Sequence, residues 1–285
     1  MAMPRMPSPS AESLRRDPLP LRGRNALVTG ASRTGGIGYA VARRLAAYGA
    51  SVYLHHHVPH DAAQPWGAEP GGPEAVAAGV REALRDPGAL VCHGPADLSD
   101  ADAPAELLAT AGDALGGRLD ILVANHALSG FDGPLDAIDA AMLDAHWAVD
   151  ARSVMLLVQA YARSRAALPA RTPGGRIIMM TSGQDSGGGM PGEIAYAFAK
   201  GALASATRSL ATSLAGLAVT VNCVNPGPVD TDYLDGEAYE AVAAMFPAGR
   251  WGMPDDPARL IAWLATDEAE WITGQVIDSE GGFRR

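Results

Sequence analysis

Lysine occurs once in the 285-residue chain, at Lys200, against 21 arginines. Tyr196 precedes it by four residues in Tyr-Ala-Phe-Ala-Lys. On a helix, positions i and i+4 share a face, so the phenol and the ammonium can enter one site. An ammonium is compact, titratable and free to rotate its three donors, unlike a guanidinium. A phenol titrates near pH ~10, and making it useful near neutrality takes a shift of about 3 units, roughly 4 kcal/mol, which an adjacent cation can supply. A surface lysine beside a core tyrosine would have the same spacing, so the pair needs corroboration elsewhere.

A second chemical feature is Thr29-Gly30-Ala31-Ser32-Arg33-Thr34-Gly35-Gly36-Ile37-Gly38, lying between an apolar run and a helical pattern. Its glycines permit a tight turn and close backbone approach, and the helix start offers free N–H groups to a pyrophosphate, which points to a dinucleotide. An NAD enzyme usually places an acid at the end of the second strand for the ribose diol. Here that place reads His55-His56-His57. Arg33 is placed to meet a 2′-phosphate with His57 beside it, so NADP(H) is the expected cofactor. On a strand only His55 and His57 share a side, so no metal site is expected.

Ser182, fourteen residues before Tyr196, and Asn225-Pro226-Gly227-Pro228-Val229-Asp230-Thr231 extend the set. With the Tyr-x-x-x-Lys pair and the Thr-Gly-x5-Gly-x-Gly loop, these residues resemble the short-chain dehydrogenase/reductase family from roughly Leu21 to the C-terminus. The chain is most similar to the 3-oxoacyl-carrier-protein reductase-like subgroup with an extended glycine loop. Arg250-Trp251-Gly252-Met253-Pro254 and the stretch from Trp271-Ile272-Thr273-Gly274-Gln275 to Gly281-Gly282 match that subgroup's ending.

The resemblance implies that Tyr196 protonates a substrate oxygen as hydride arrives, that Ser182 hydrogen-bonds that oxygen, and that Lys200 binds the nicotinamide ribose and lowers the Tyr196 pKa. It implies cofactor contacts from Gly30, Ser32, Arg33, Gly36, Ile37, Gly38, His57, Asp97, Leu98, Asn125, Tyr196, Lys200, Pro226, Gly227, Val229 and Thr231. Among these, Asp97 would accept from the adenine amine, Asn125 would pack beside the adenosine, and Thr231 would bond the carboxamide. Blander roles exist: Asp97 suits a helix start, Ser182 a turn cap and Asn125 a strand end.

Two positions depart from the family. Ala124-Asn125-His126-Ala127 stands where many relatives carry Asn-Asn-Ala-Gly, and Asp150 aligns with the Asn that is the family's fourth catalytic member. That Asn is expected to hold a proton-relaying water. An anion there would raise the pKa values of Lys200 and Tyr196, so an altered relay is expected.

The elements that must position these groups alternate. Apolar runs at 25–29, 51–56, 90–93, 121–124, 176–181, 220–224 and 275–278 read as strands. Helical patterns cover 38–48, 74–84, 103–115, 139–165, 193–215 and 257–265. Strands apolar through their middle belong to a sheet covered on both faces. The expected fold is α/β, a single-domain Rossmann-type doubly wound sheet of seven parallel strands over 21–285. A disordered tail rich in Pro, Ser and Arg is expected at 1–20. Long loops fall at 57–73 and 225–250, the second carrying Tyr233, Tyr239, Met245 and Phe246 as a lid suited to a hydrophobic ketone. Trp147, Met155, Met179 and Met180 read as core.

A net charge of −10 repels phosphate backbones and anionic lipid, so neither nucleic acid nor a membrane surface is an expected partner. No apolar stretch approaches the ~18 residues of a membrane span, and the first residues lack a signal peptide's apolar core. Cys92 and Cys223 lie in strand candidates as small hydrophobes, with no disulfide expected, which suits the cytoplasm. The expected protein is thus a cytoplasmic NADPH-dependent reductase of a β-ketoacyl, polyketide-like, cyclic or aromatic carbonyl. The resemblance implies a homotetramer or dimer built on the helices at 139–165 and 193–215. Two rivals stand beside it: the reverse alcohol dehydrogenase, and an NADP-binding lyase, isomerase or sensor without net redox turnover.

Overall fold

Successive residues of β1 (Asn25–Val28) enter different cores: Ala26 and Val28 join one apolar cluster and Leu27 the other. The same alternation divides Ile178 and Met180 from Ile177 and Met179 on β5 (Gly175–Met180). A strand apolar on both sides needs cover on both sides, which selects a central sheet with helices above and below.

The computed structural model describes residues 14–169, 172–185 and 189–284. The first thirteen residues of the expected tail, and 186–188 of the loop after β5, lie outside the described residues. Leu21 is already buried, its N–H donating to the Tyr48 carbonyl at 2.9 Å. The remaining strands are β2 (Ser51–His56), β3 (Val91–Pro95), β4 (Ile121–Ala124), β6 (Val219–Asn225) and β7 (Val276–Asp278). All pair in parallel in the order β3-β2-β1-β4-β5-β6-β7. The chain runs outward from β1 to β3 and then returns to β4. The strand order therefore reverses between β1 and β4, where a crevice opens at the carboxyl ends.

On one face lie α1 (Ile37–Ala47), α3 (Gly72–Arg81) and α9 (Asp255–Leu264), burying Val41, Leu45, Val76 and Ile261. On the other lie α4 (Ala103–Ala114), α6 (Ser153–Ala166) and α7 (Ile194–Leu214), burying Leu107, Leu157, Tyr161 and Leu203. No helix among the described residues is long and apolar enough to cross a membrane.

Several expectations are corrected. The helix read as continuous over 139–165 is α5 (Ala140–His146), a π-helical stretch (Trp147–Arg152) and then α6. The wider π turn breaks the 3.6-residue spacing, so faces extrapolated across it are wrong. Trp147 and Met155, read as core, are 44% and 37% exposed. Phe246, read as lid, is buried against Trp251 and Phe283, and Cys92 is only half-buried. The two long loops contain α2 (Val58–Ala62) and α8 (Gly236–Ala243).

Candidate active site

The glycine turn is clasped from two sides. Gly30 has φ +67, and an added Cβ would stand 2.7 Å from His126 Cα. A Cβ on Gly38 would stand 2.5 Å from the Gly30 carbonyl oxygen and 2.8 Å from Asn125 Nδ2. Asn125 Nδ2 donates to the carbonyls of Thr29 and Gly30 at 3.0 and 3.1 Å, tying β4 to the turn. From the other side, Gly30 N–H donates to His55 Nδ1 at 3.2 Å while His55 Nε2 faces the Ala96 carbonyl at 3.0 Å. Those partners select the neutral Nε2–H form, and burial holds the His55 pKa at about 4. Helix α1 begins after Gly36 with no side chain capping it.

The crevice is a cleft of about 930 Å³, near the upper end for small-molecule sites. Its lining includes Gly30, Ser32, Arg33, Gly36, Ile37, His57, Asp97, Leu98, Asn125, Ser182, Tyr196, Lys200, Pro226, Gly227, Val229 and Thr231. Of the catalytic and cofactor-contacting residues selected from sequence, Gly38 and Asp150 lie outside that lining; of the expected lid, Tyr233 lines it and Tyr239, Met245 and Phe246 do not. Gly38 is the contact between turn and Asn125, and Asp150 lies beneath the cleft. The uncapped helix start, the glycines that tolerate no Cβ and the cleft's size together fit a dinucleotide.

At one end, Ser182 follows β5, and Tyr196 and Lys200 occupy successive turns of α7. Ala195 and Tyr196 donate their N–H groups to the Asp132 carboxylate at 3.0 and 2.8 Å, which caps α7. Lys200, 1% exposed, donates to the His126 carbonyl at 3.4 Å, with Nζ 5.6 Å from the Tyr196 ring centroid. Burial lowers the Lys200 pKa, with Asp150 opposing. The Tyr196 pKa is not depressed, as the resemblance had implied, but raised: burial leads, the Asp150 and Glu193 charges add, and the Ser182 hydroxyl opposes.

Asp150 sits within the π-helical stretch, fully buried. Its Oδ1 accepts from Leu128 N–H and its Oδ2 from His146 Nδ1–H, both at 2.7 Å. The imidazole at 126 is a clasp. Thr29 Oγ1 meets its Nδ1 at 2.7 Å, and its Nε2 meets Ser153 Oγ at 2.7 Å and the Val149 carbonyl at 3.1 Å. Burial, His55 and Lys200 keep His126 neutral.

At the other end, Arg33 is already engaged. It donates to the Thr231 carbonyl at 3.0 Å, lies 3.6 Å from Asp61 and stacks its guanidinium 4.9 Å from the Trp66 ring centroid. Asp97 Oδ1 accepts from the N–H and hydroxyl of Ser99 at 2.9 and 2.7 Å, the arrangement of a turn-forming Asp. Sequence reasoning missed Asp61, Asp132 and His146. His146 and Asp150 carried a usable i, i+4 signal, whereas Asp61 and Asp132 reach the site through tertiary folding alone.

Carbonyl and alcohol chemistry at a nucleotide cleft is what these groups suit, and comparison with known proteins defines the class. The chain belongs to the short-chain dehydrogenase/reductase family: a family model described as enoyl-(acyl carrier protein) reductase matches residues 30–284. It is an oxidoreductase acting between carbonyl and alcohol in a family that binds nicotinamide cofactors. It is similar to the uncharacterized oxidoreductase YjdA of Bacillus subtilis (strain 168), 46% identical over 91% of this chain and 96% of that one. Versicolorin reductase stcU of Emericella nidulans is 31% identical over 93% of this chain and 97% of its own. Among solved structures, the angucycline C-6 ketoreductase LanV with bound NADP is 31% identical with a TM-score of 0.77, covering 92% of this chain and 96% of that one.

Proposed function

We propose that this protein is an NADPH-dependent ketoreductase that converts a polyketide-like, cyclic or aromatic ketone to the alcohol. The observation that carries the reading is the gathering of Ser182, Tyr196 and Lys200 at one end of a cleft whose other end is the glycine turn. Versicolorin and angucycline, the substrates named for two relatives, are the precedent for a polyketide-like ketone.

When bound, the reduced nicotinamide supplies the hydride. Tyr196 Oη donates the proton to the oxygen on which charge develops, and Ser182 Oγ hydrogen-bonds that oxygen and fixes its position. The buried Lys200 ammonium stabilises the phenolate left behind. Gly30, Ser32, Gly36 and Ile37 would hold the pyrophosphate, with Gly38 keeping the turn closed. Asp97, Leu98 and Asn125 would flank the adenosine, and Pro226, Gly227, Val229 and Thr231 the nicotinamide. Arg33, with His57, is the cation for a 2′-phosphate. The absence of an acid at the end of β2 and the NADP in LanV support that choice. Asp150 acts from beneath, through its charge.

The exposed Leu143, Trp147 and Phe198, the last two with rings 6.2 Å apart, support a homodimer or homotetramer packed through α5 and α7. Two free cysteines suit a cytoplasmic protein.

The test is consumption of NADPH and NADH in parallel over β-keto thioesters and aromatic or cyclic ketones, with Tyr196→Phe as control. NADPH oxidation that disappears in the variant supports both the activity and its acid. Turnover that survives Tyr196→Phe would overturn the assignment of the proton donor, and silence across the panel would count against the substrate class.

A further inference from the structure

His146 presents both ring nitrogens to acceptors. Nδ1 lies 2.7 Å from Asp150 Oδ2, while Nε2 lies 3.1 Å from the Gly130 carbonyl and 3.8 Å from Asp132 Oδ2. Neither a carbonyl nor a carboxylate brings a proton, so the ring carries two, and His146 is an imidazolium. The three side chains are almost completely buried, at 1% exposure for His146, 0% for Asp150 and 6% for Asp132. At that depth an uncompensated carboxylate is strongly disfavoured.

We infer that His146 is the counter-ion that lets a carboxylate occupy the place where the family carries an amide. It is a positioning residue: it offsets part of the Asp150 charge and links it, through Asp132, to the first turn of the helix bearing Tyr196 and Lys200. As a statement about catalysis, this rests on the reductase reading.

The surroundings agree. From α7 come Lys200 and Tyr196, whose ring meets the imidazole edge-on at 6.0 Å, and from the residue just before α7 comes Glu193. From the loop after β4 comes Asp132, and from α2 comes His60, which feels the Asp150 charge. His126 is neutral, and Tyr233 faces Tyr196 from beyond β6. Asp150, Asp132 and Glu193 thus stand around His146 and Lys200, three acids against two cations. Burial pulls the His146 pKa down, but the Asp150 hydrogen bond and charge, then Asp132 and the Gly130 carbonyl, carry it above its ordinary value. Without the imidazolium, the Asp150 charge would act unopposed on Tyr196 and Lys200, raising both pKa values.

The test is a double-mutant cycle. His146→Gln keeps a side-chain donor but loses the charge. It is expected to lower kcat about 10–100-fold and to move the Tyr196 limb of the pH profile upward, with KM for NADPH little changed. Adding Asp150→Asn removes the charge that needed compensation and should restore most of that loss. Additive losses with an unmoved profile would reduce His146 to a packing role and overturn the inference. An activity-independent arm records 15N spectra of histidine-labelled full-length protein about one unit above the ordinary imidazole pKa of ~6.5. A doubly protonated ring that is present in the parent and lost in Asp150→Asn is expected, and its absence from the parent overturns the inference even if His146→Gln does not fold. If the ring is present but no ketone is reduced, the reductase reading fails instead.

Discussion

Lys200 Nζ donates to the backbone carbonyl of His126 at 3.4 Å, so the chain's one ammonium is held between the loop after β4 and the Tyr196 ring. A guanidinium is longer, planar and unable to titrate. In a site 1% exposed it has neither the room nor the geometry to replace the ammonium. Lys200→Arg is therefore expected to lower kcat/KM at least about 100-fold, measured by NADPH consumption on a reducible ketone. Parent-like turnover would remove Lys200 from the mechanism.

Arg33 lies 3.6 Å from Asp61 and against Trp66, so a cation and an acid compete at the expected 2′-phosphate end. Arg33→Ser is expected to shrink the ratio of kcat/KM for NADPH over NADH by about 10–100-fold. Asp61→Asn should release Arg33 and lower KM for NADPH. An unchanged ratio in Arg33→Ser would assign the phosphate to another group.

Gly38→Ala tests the clasp on the glycine turn. Its new methyl would lie 2.5 Å from the Gly30 carbonyl and 2.8 Å from Asn125 Nδ2, both held in place by β1 and β4. Overpacking against backbone costs about 1–3 kcal/mol. Thermal unfolding should register that loss, and NADPH binding followed by fluorescence should weaken with it.

The buried His55 gives stability a direction with pH. Its folded pKa of about 4 lies below the unfolded value of ~6.5, so the unfolded chain takes up a proton first as pH falls. The stabilisation is complete above pH ~6.5 and is lost as pH falls toward about 4, an upper bound of about 3 kcal/mol. Midpoints of thermal unfolding across that window should drop steeply in the parent and less steeply in His55→Asn. Parallel curves would mean that His55 titrates outside the window.

Local order in the sequence settled most of the fold. Strands apolar through their middle, alternating along the chain with helical patterns, specify a sheet covered on both faces, and spacing alone puts Tyr196 and Lys200 on one face of a helix. The glycine loop is likewise legible, because a strand, a turn and a helix start are contiguous in the chain. Relationships that cross the chain were not. Asp132 caps α7 from 63 residues away, Arg33 reaches Thr231 across 198, and Trp147 and Met155, read as core, are exposed on a helix interrupted by a π turn. Asp150 looked in sequence like a bare charge beside the base; His146 stood four residues before it, but only the folded interior buries that pair and brings Asp132 against it. Sequence thus determined which groups could do chemistry. Tertiary structure decided their ionisation, because a buried group's charge depends on partners and solvent exclusion that arise only when distant segments pack together.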